Sequence, residues 1–159
     1  MKYSIRAAQP VDMDQVLGLV KELAKFEKED NAVEISAEDL LRDGFGTEKR
    51  FQCFVAEVAE KIVGMALVYD RYSTWKGPVV HLEDLIVSES MRGTGLGTAL
   101  LNEVVKYGRQ LGVKRISWEV LDWNEPAISF YEKKGAIVMR DWDVVHLDER
   151  GIDNYLEKI

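Results

Sequence analysis

Four groups of residues have types and spacings that could do chemistry. In Arg92-Gly93-Thr94-Gly95-Leu96-Gly97 the glycines alternate just ahead of an apolar-periodic stretch. Bare backbone N–H groups in such a segment can turn inward, and the positive end of the following helix adds to them, so phosphate oxygens can settle there. Arg92 contributes a formal charge. Glu83 and Asp84 form a second group, two carboxylates in the middle of the apolar run Val79–Val87. The third is Asn124-Glu125-Pro126 with Phe130-Tyr131 downstream; taken alone, a tyrosine beside a phenylalanine serves core packing. The fourth is Phe26-Glu27, an aromatic beside a carboxylate, a sensible seat for an alkyl ammonium chain.

Two rival phosphate binders fail on spacing. A dinucleotide fingerprint counted from Gly93 and Gly95 needs a third small residue where Thr98 stands, and it should follow an early parallel strand. A Walker loop needs Gly-Lys-Ser/Thr, a triplet this chain lacks.

The elements that must position these groups follow from periodicity and punctuation. Ser4–Ala7 reads as a short strand, and Pro10 opens a helix with Val16, Leu19, Val20 and Leu23 on its apolar face. Ser36-Ala37-Glu38-Asp39 caps a short second helix that closes at Gly44. Phe51–Val58 and Ile62–Tyr72 make a β-hairpin, Val79–Val87 a third antiparallel strand, and Leu96–Leu111 the longest helix, stopped by Gly112. Arg115–Val120 reads as a strand, Asn124 caps a helix ending at Gly135, and Ile137–Met139 and Asp143–Leu147 read as closing strands. The expectation is a mixed α/β fold in one domain over residues 1–159: a mostly antiparallel central sheet of six to seven strands flanked by helices.

Composition narrows the partners. A formal net charge of -7 disfavours nucleic acid, whose binding depends on clustered Lys and Arg, and suits a cationic small substrate. One cysteine, Cys53, and two histidines, His81 and His146, offer no disulfide and no zinc-ligand spacing, so no metal is expected. No apolar run of membrane-spanning length occurs and Met1–Arg6 does not resemble a secretory signal, which predicts a soluble, cytoplasmic protein without a membrane partner.

The Arg-x-x-Gly-x-Gly segment, the upstream Leu82–Val87 and the downstream Asn124–Gly135 stand in the order that marks the Gcn5-related N-acetyltransferase (GNAT) superfamily. Further stretches, Ile5-Arg6-Ala7-Ala8, Lys21–Glu27, Asp43–Gly46, Leu82-Glu83-Asp84 and Trp123–Pro126, resemble its diamine (spermidine/spermine) and thialysine N-acetyltransferase branch over nearly the whole chain.

The resemblance implies an acyl-CoA N-acyltransferase fold, acetyl-CoA as cosubstrate and direct attack by an amine in a ternary complex. It implies that Leu85, Ile86 and Val87 pair with the pantetheine arm, that Arg92, Gly93, Thr94, Gly95, Leu96, Gly97 and Thr98 cradle the pyrophosphate, and that Asn124, Glu125, Pro126 and Tyr131 contact the cofactor. Tyr131 would be the general acid for the leaving thiolate. Glu83 would receive the ammonium proton, directly or through water. Phe26, Glu27, Glu83, Asp141 and Trp142 would contact the acceptor, and two chains would pair as a homodimer.

Three departures bear on the acceptor. Met139-Arg140 stands where the polyamine enzymes of the branch carry more acid, Phe26 stands where tyrosine is common, and the Ala59-Glu60-Lys61 turn is short. A di- or polyamine is the leading acceptor. A lysine-like amino acid such as thialysine is the alternative, with Arg140 to receive its carboxylate. A non-catalytic CoA-binding module is the reading from another class.

Overall fold

The β-branched and aromatic run Gln52–Val58 (β2) turns back into Lys61–Ser73 (β3) through Ala59 and Glu60. Both turn residues take left-handed backbone angles, φ 47° and 63°, the conformation a two-residue hairpin connection demands. β3 in turn pairs antiparallel with Gly77–Val87 (β4), and Ser4–Ala7 (β1) adds antiparallel to β2. Ile116–Ser117 (β5) joins β4 in parallel, closing the sheet order β1-β2-β3-β4-β5. The computed structural model describes residues 2–159, which fall into two compact units, one running to Glu119 and one spanning Val120–Ile159.

In the first unit, helix α1 (Met13–Phe26) and helix α2 (Ala37–Phe45) cover one face of the sheet. Met13, Val16 and Leu19 meet Val55, Met65, Leu67 and Ile86 in a buried cluster. A fully buried side chain of this size contributes about 1.5–3 kcal/mol. Helix α3 (Leu96–Leu111) takes the other face: Leu100 reaches Gly64, the neighbour of Met65 on β3, and successive strand residues point to opposite sides. Ser36 caps α2 reciprocally, its Oγ accepting from the Asp39 N–H at 3.1 Å while its own N–H donates to Asp39 Oδ2 at 2.8 Å. Gly112, at φ 70°, stops α3.

β1 is pinned electrostatically. Arg6 donates to Asp12 at 2.7 and 3.0 Å and to Glu57 at 2.8 Å, and the Arg6 bonds hold the buried Asp12 carboxyl below its ordinary pKa.

The second unit holds α4 (Glu125–Glu132), capped by Asn124, and α5 (Glu149–Leu156), capped by Asp148. Among the described residues no helix is long and apolar enough to cross a membrane.

The mixed α/β class stands as expected, but the sheet has five strands, not six to seven. Ile137–Met139 and Asp143–Leu147 form no strand. Only Val138 among residues 137–147 is even half-buried, so their apolar alternation has no face to bury and no ladder to join. The strand expected over Arg115–Val120 shrinks to two residues. Its last pair is His81↔Ser117, two residues short of a bulge where β4 pairs with β3.

Candidate active site

That bulge is Glu83. Opposite β3, Val68 pairs with Leu82 and Leu67 with Asp84, which leaves Glu83 as the extra residue of β4. A bulge re-aims one side chain without breaking the strand. Glu83 consequently projects into solvent, its side chain 54% exposed, while Asp84 packs back toward the α1 side of the sheet. Two acids in mid-strand are thus sent to two environments.

Asp84 is the electrostatically strained one. Burial, then the charges of Glu83 and Glu27, push its carboxyl from 3.8 up to about 6. Glu27, immediately after α1, is itself raised by burial and by Glu29. Three carboxylates from β4 and the end of α1 therefore share one field, and Phe26 stands beside them. The Arg92 guanidinium lies over the Phe26 ring at 4.9 Å, and its Nε donates to the Val87 carbonyl at 3.4 Å.

From Arg92 the chain enters the glycine loop. Gly93 and Gly95 adopt φ 76° and 88°, and a Cβ at either would enter open space. Thr94 Oγ1 donates to the Met91 carbonyl at 2.6 Å, closing the turn from inside the loop. The first intrahelical bond of α3 is Ala99 N–H to Gly95 O, so the N–H groups of Leu96, Gly97 and Thr98 form the helix opening. An anion there meets backbone donors and the helix dipole, with no Cβ in the way.

Leu85, Ile86 and Val87 pair with β3 on one side. β5 reaches only Val80 and His81, so among the described residues of the first unit no strand occupies their other edge. An amide-bearing arm can add there as a strand does. Loop and edge together fit a pyrophosphate joined to a polyamide chain, which is the shape of CoA.

Around Glu83 the structure assembles a set that sequence reasoning had not grouped. Tyr69 on β3 lies in the field of the Glu83 carboxylate, which after burial raises its phenol, and its ring stands 5.2 Å from that of the buried His81. His81 Nε2 faces Glu83 Oε2 at 3.7 Å. The only sequence signal was His81 two residues before Glu83, on the same strand.

The remaining expected residues lie in the second unit. Asn124 Oδ1 accepts from the Ala127 N–H at 3.3 Å, which leaves its amide N–H groups outside the cap. Pro126 follows in the first turn of α4, Glu125 is exposed, and Tyr131 is half-buried with its ring 5.4 Å edge-on from Phe130. Asp141 and Trp142 lie in an exposed turn, apart from any helix or strand.

Residues 18–136 match the family model described as Acetyltransferase (GNAT) family. The chain belongs to the GNAT acetyltransferase family. Thialysine N-epsilon-acetyltransferase of Mus musculus is 39% identical over 140 residues, 83% of this chain and 82% of that protein. The protein of that name from Caenorhabditis elegans is 31% identical over 159 residues, 98% of each. Spermidine/spermine N(1)-acetyltransferase-like protein 1 of Homo sapiens is 34% identical over 91% of this chain and 22% of its own length. Among solved structures, an integron cassette protein from the mobile metagenome of V. cholerae superposes with a TM-score of 0.80 at 22% identity, covering 99% of both chains. This GNAT protein is an acetyl-transferring enzyme, and acetyl-CoA is the cosubstrate its family uses.

Proposed function

We propose that this enzyme acetylates a primary amine of a small cationic acceptor, foremost a di- or polyamine, with all of residues 1–159 serving as one transferase domain. The observation that carries this reading is the shared field of Glu27, Glu83 and Asp84: burial, then the like charges of Glu83 and Glu27, lifts Asp84 to about 6, and an acceptor ammonium relieves the repulsive part. Phe26 offers the alkyl chain an aromatic wall.

In this reading the pantetheine arm pairs with Leu85–Val87, the N–H groups of Gly93–Thr98 hold the pyrophosphate, and Asn124, Glu125 and Pro126 contact the cofactor. Acetyl-CoA supplies the thioester. Glu83 takes one proton from the ammonium, directly or through water, which frees the nitrogen lone pair to attack the carbonyl. Tyr131 gives its proton to the departing thiolate and is restored by the second proton that the nitrogen sheds as the amide forms. Asp141 and Trp142 border the acceptor. Replacing Tyr131 by Phe removes one hydroxyl and should lower kcat by about 10²-fold with little change in acetyl-CoA affinity. Full turnover in Tyr131→Phe would remove that role.

A second acceptor, a lysine-like amino acid, is supported by the thialysine enzymes at up to 39% identity and by Arg140, an exposed cation beside Asp141. Initial rates of CoA release with putrescine, spermidine, lysine and thialysine separate the two: the acceptor with the higher kcat/KM is the substrate class. Absence of CoA release with every amine would leave a non-catalytic CoA-binding module.

The protein is proposed to work as a homodimer. Ile137, Met139, Trp142, Val144, Val145 and Leu147 all expose apolar surface, which supports a protein contact in this segment. Sedimentation at micromolar protein tests it, a single monomeric species being the adverse result.

A further inference from the structure

Glu83, exposed on its bulge, needs something to hold its carboxylate where a substrate proton can reach it, and the residues around His81 supply a candidate. His81 is only 5% exposed, buried among the strands on either side of it. Its Nδ1 has two neighbours: Arg71 Nη1 on β3 at 3.4 Å and Ser117 Oγ on β5 at 3.0 Å. A guanidinium can only donate, so Nδ1 must be the acceptor and the ring proton must sit on Nε2. Nε2 is the nitrogen that faces Glu83 Oε2, 3.7 Å away. Tyr69, stacked obliquely on the imidazole, lies in the field of the same carboxylate. The carboxylate therefore faces an N–H from β4, and Arg71 of β3 fixes the tautomer that makes it a donor.

We infer that His81 is a positioning residue for Glu83: locked by Arg71 and Ser117, it presents Nε2–H to the carboxylate and keeps Glu83 aimed as the proton acceptor. This rests on the reading of Glu83 as the group that takes the ammonium proton. The step itself is a single proton transfer from R–NH3+ to the carboxylate, giving R–NH2 and a neutral carboxyl, with His81 retaining its own proton throughout. Both faces of the ring environment agree with a neutral imidazole. Burial lowers the His81 pKa, Arg71 lowers it further, and Glu83 and Glu119 pull in the opposite direction, with burial the largest effect.

Two measurements test this, one of them independent of turnover. In ¹⁵N-labelled full-length protein at neutral pH, the His81 side chain should show a pyridine-like Nδ1 and a pyrrole-like Nε2. Its titration should move to lower pH in Glu83→Gln, because the larger of the two carboxylate charges that raise it, Glu83 and Glu119, is gone. The opposite tautomer, or a His81 titration indifferent to Glu83→Gln, overturns the contact whether or not Glu83 is the base.

The second is the pH profile of kcat/KM with the best acceptor of the four-amine panel. His81→Phe, which keeps an aromatic ring but no donor, should lower kcat/KM roughly ten- to hundredfold, within what a positioned base contributes, and shift the limb that reports the base. KM for acetyl-CoA should stay unchanged. His81→Gln, which restores an N–H, should recover part of the loss. A His81→Phe profile superimposable on the parent refutes positioning, as does a loss that Gln fails to rescue while both variants bind acetyl-CoA normally. Should the tautomer and the Glu83-dependent titration hold while Glu83→Gln retains full turnover, the base assignment falls and the contact survives.

Discussion

The guanidinium of Arg92 sits over the ring of Phe26, 4.9 Å from its centroid, joining the glycine loop to the end of α1. One side of this contact is proposed to meet pyrophosphate and the other the acceptor. Phe26→Leu removes the π face while keeping apolar bulk. At a partly exposed site such a contact is worth about 0.5–1 kcal/mol, so KM for acetyl-CoA is expected to rise about two- to fivefold together with KM for the amine. Steady-state kinetics in both substrates check this, and an effect confined to the amine would uncouple the two.

Asp84 should trade stability for its place in the acidic field. Its carboxyl ionises near 3.8 when unfolded and at about 6 when folded. The folded state therefore holds the proton more tightly, and stability is lost as pH rises from about 4 to about 6, then levels. Asp84→Asn, which mimics the protonated form, is expected to be more stable than the parent by on the order of 2–3 kcal/mol above that window and equal to it below. Denaturant titrations across the range measure the difference. Acceptor turnover in the same variant should fall.

Gly97 invites a substitution with opposite effects on fold and function. It lies in the first turn of α3 with only Val87 Cγ2, at 3.8 Å, near a would-be Cβ. Alanine there should stabilise the free protein by about 0.5–1 kcal/mol. The added methyl also stands where the loop is proposed to approach phosphate, so acetyl-CoA affinity should drop. Thermal melts and a binding isotherm on Gly97→Ala give both signs.

Gly64 permits no such exchange. A Cβ on it would stand 2.9 Å from the Ile86 carbonyl oxygen and 3.1 Å from Leu100 Cδ1, between β4 and α3. Gly64→Ala is expected to destabilise by about 1–3 kcal/mol, read as a lower urea midpoint with an unchanged slope.

What could be foreseen from the residues was whatever is decided locally. Ser36 with Asp39, Asn124 ahead of Pro126 and Gly112 after Leu111 each settle a helix end within four residues, and all three ends stand where expected. The bulge at Glu83 could not be foreseen, because it exists only relative to the count of residues on β3. His81 was weighed as a metal ligand alone, since Arg71 and Ser117 reach it from other strands. The alternation over residues 137–147 suggested strands, but a ladder requires a partner that composition does not reveal. Helix α5 was overlooked although Asp148 announces it by accepting from the Gly151 N–H at 2.7 Å, with Ile152, Tyr155 and Leu156 at helical spacing.

The odd residue in β4 also shapes which genetic changes this site can survive. Substituting Glu83 alters one solvent-facing group. Deleting it would make Leu82 and Asp84 consecutive, as their partners Leu67 and Val68 already are, so both flanks of the strand would keep their pairs and their sides of the sheet. The ladder thus has no need of the residue proposed to take the proton: losing that slot would leave the strand regular, and the chemistry rather than the fold would register the loss.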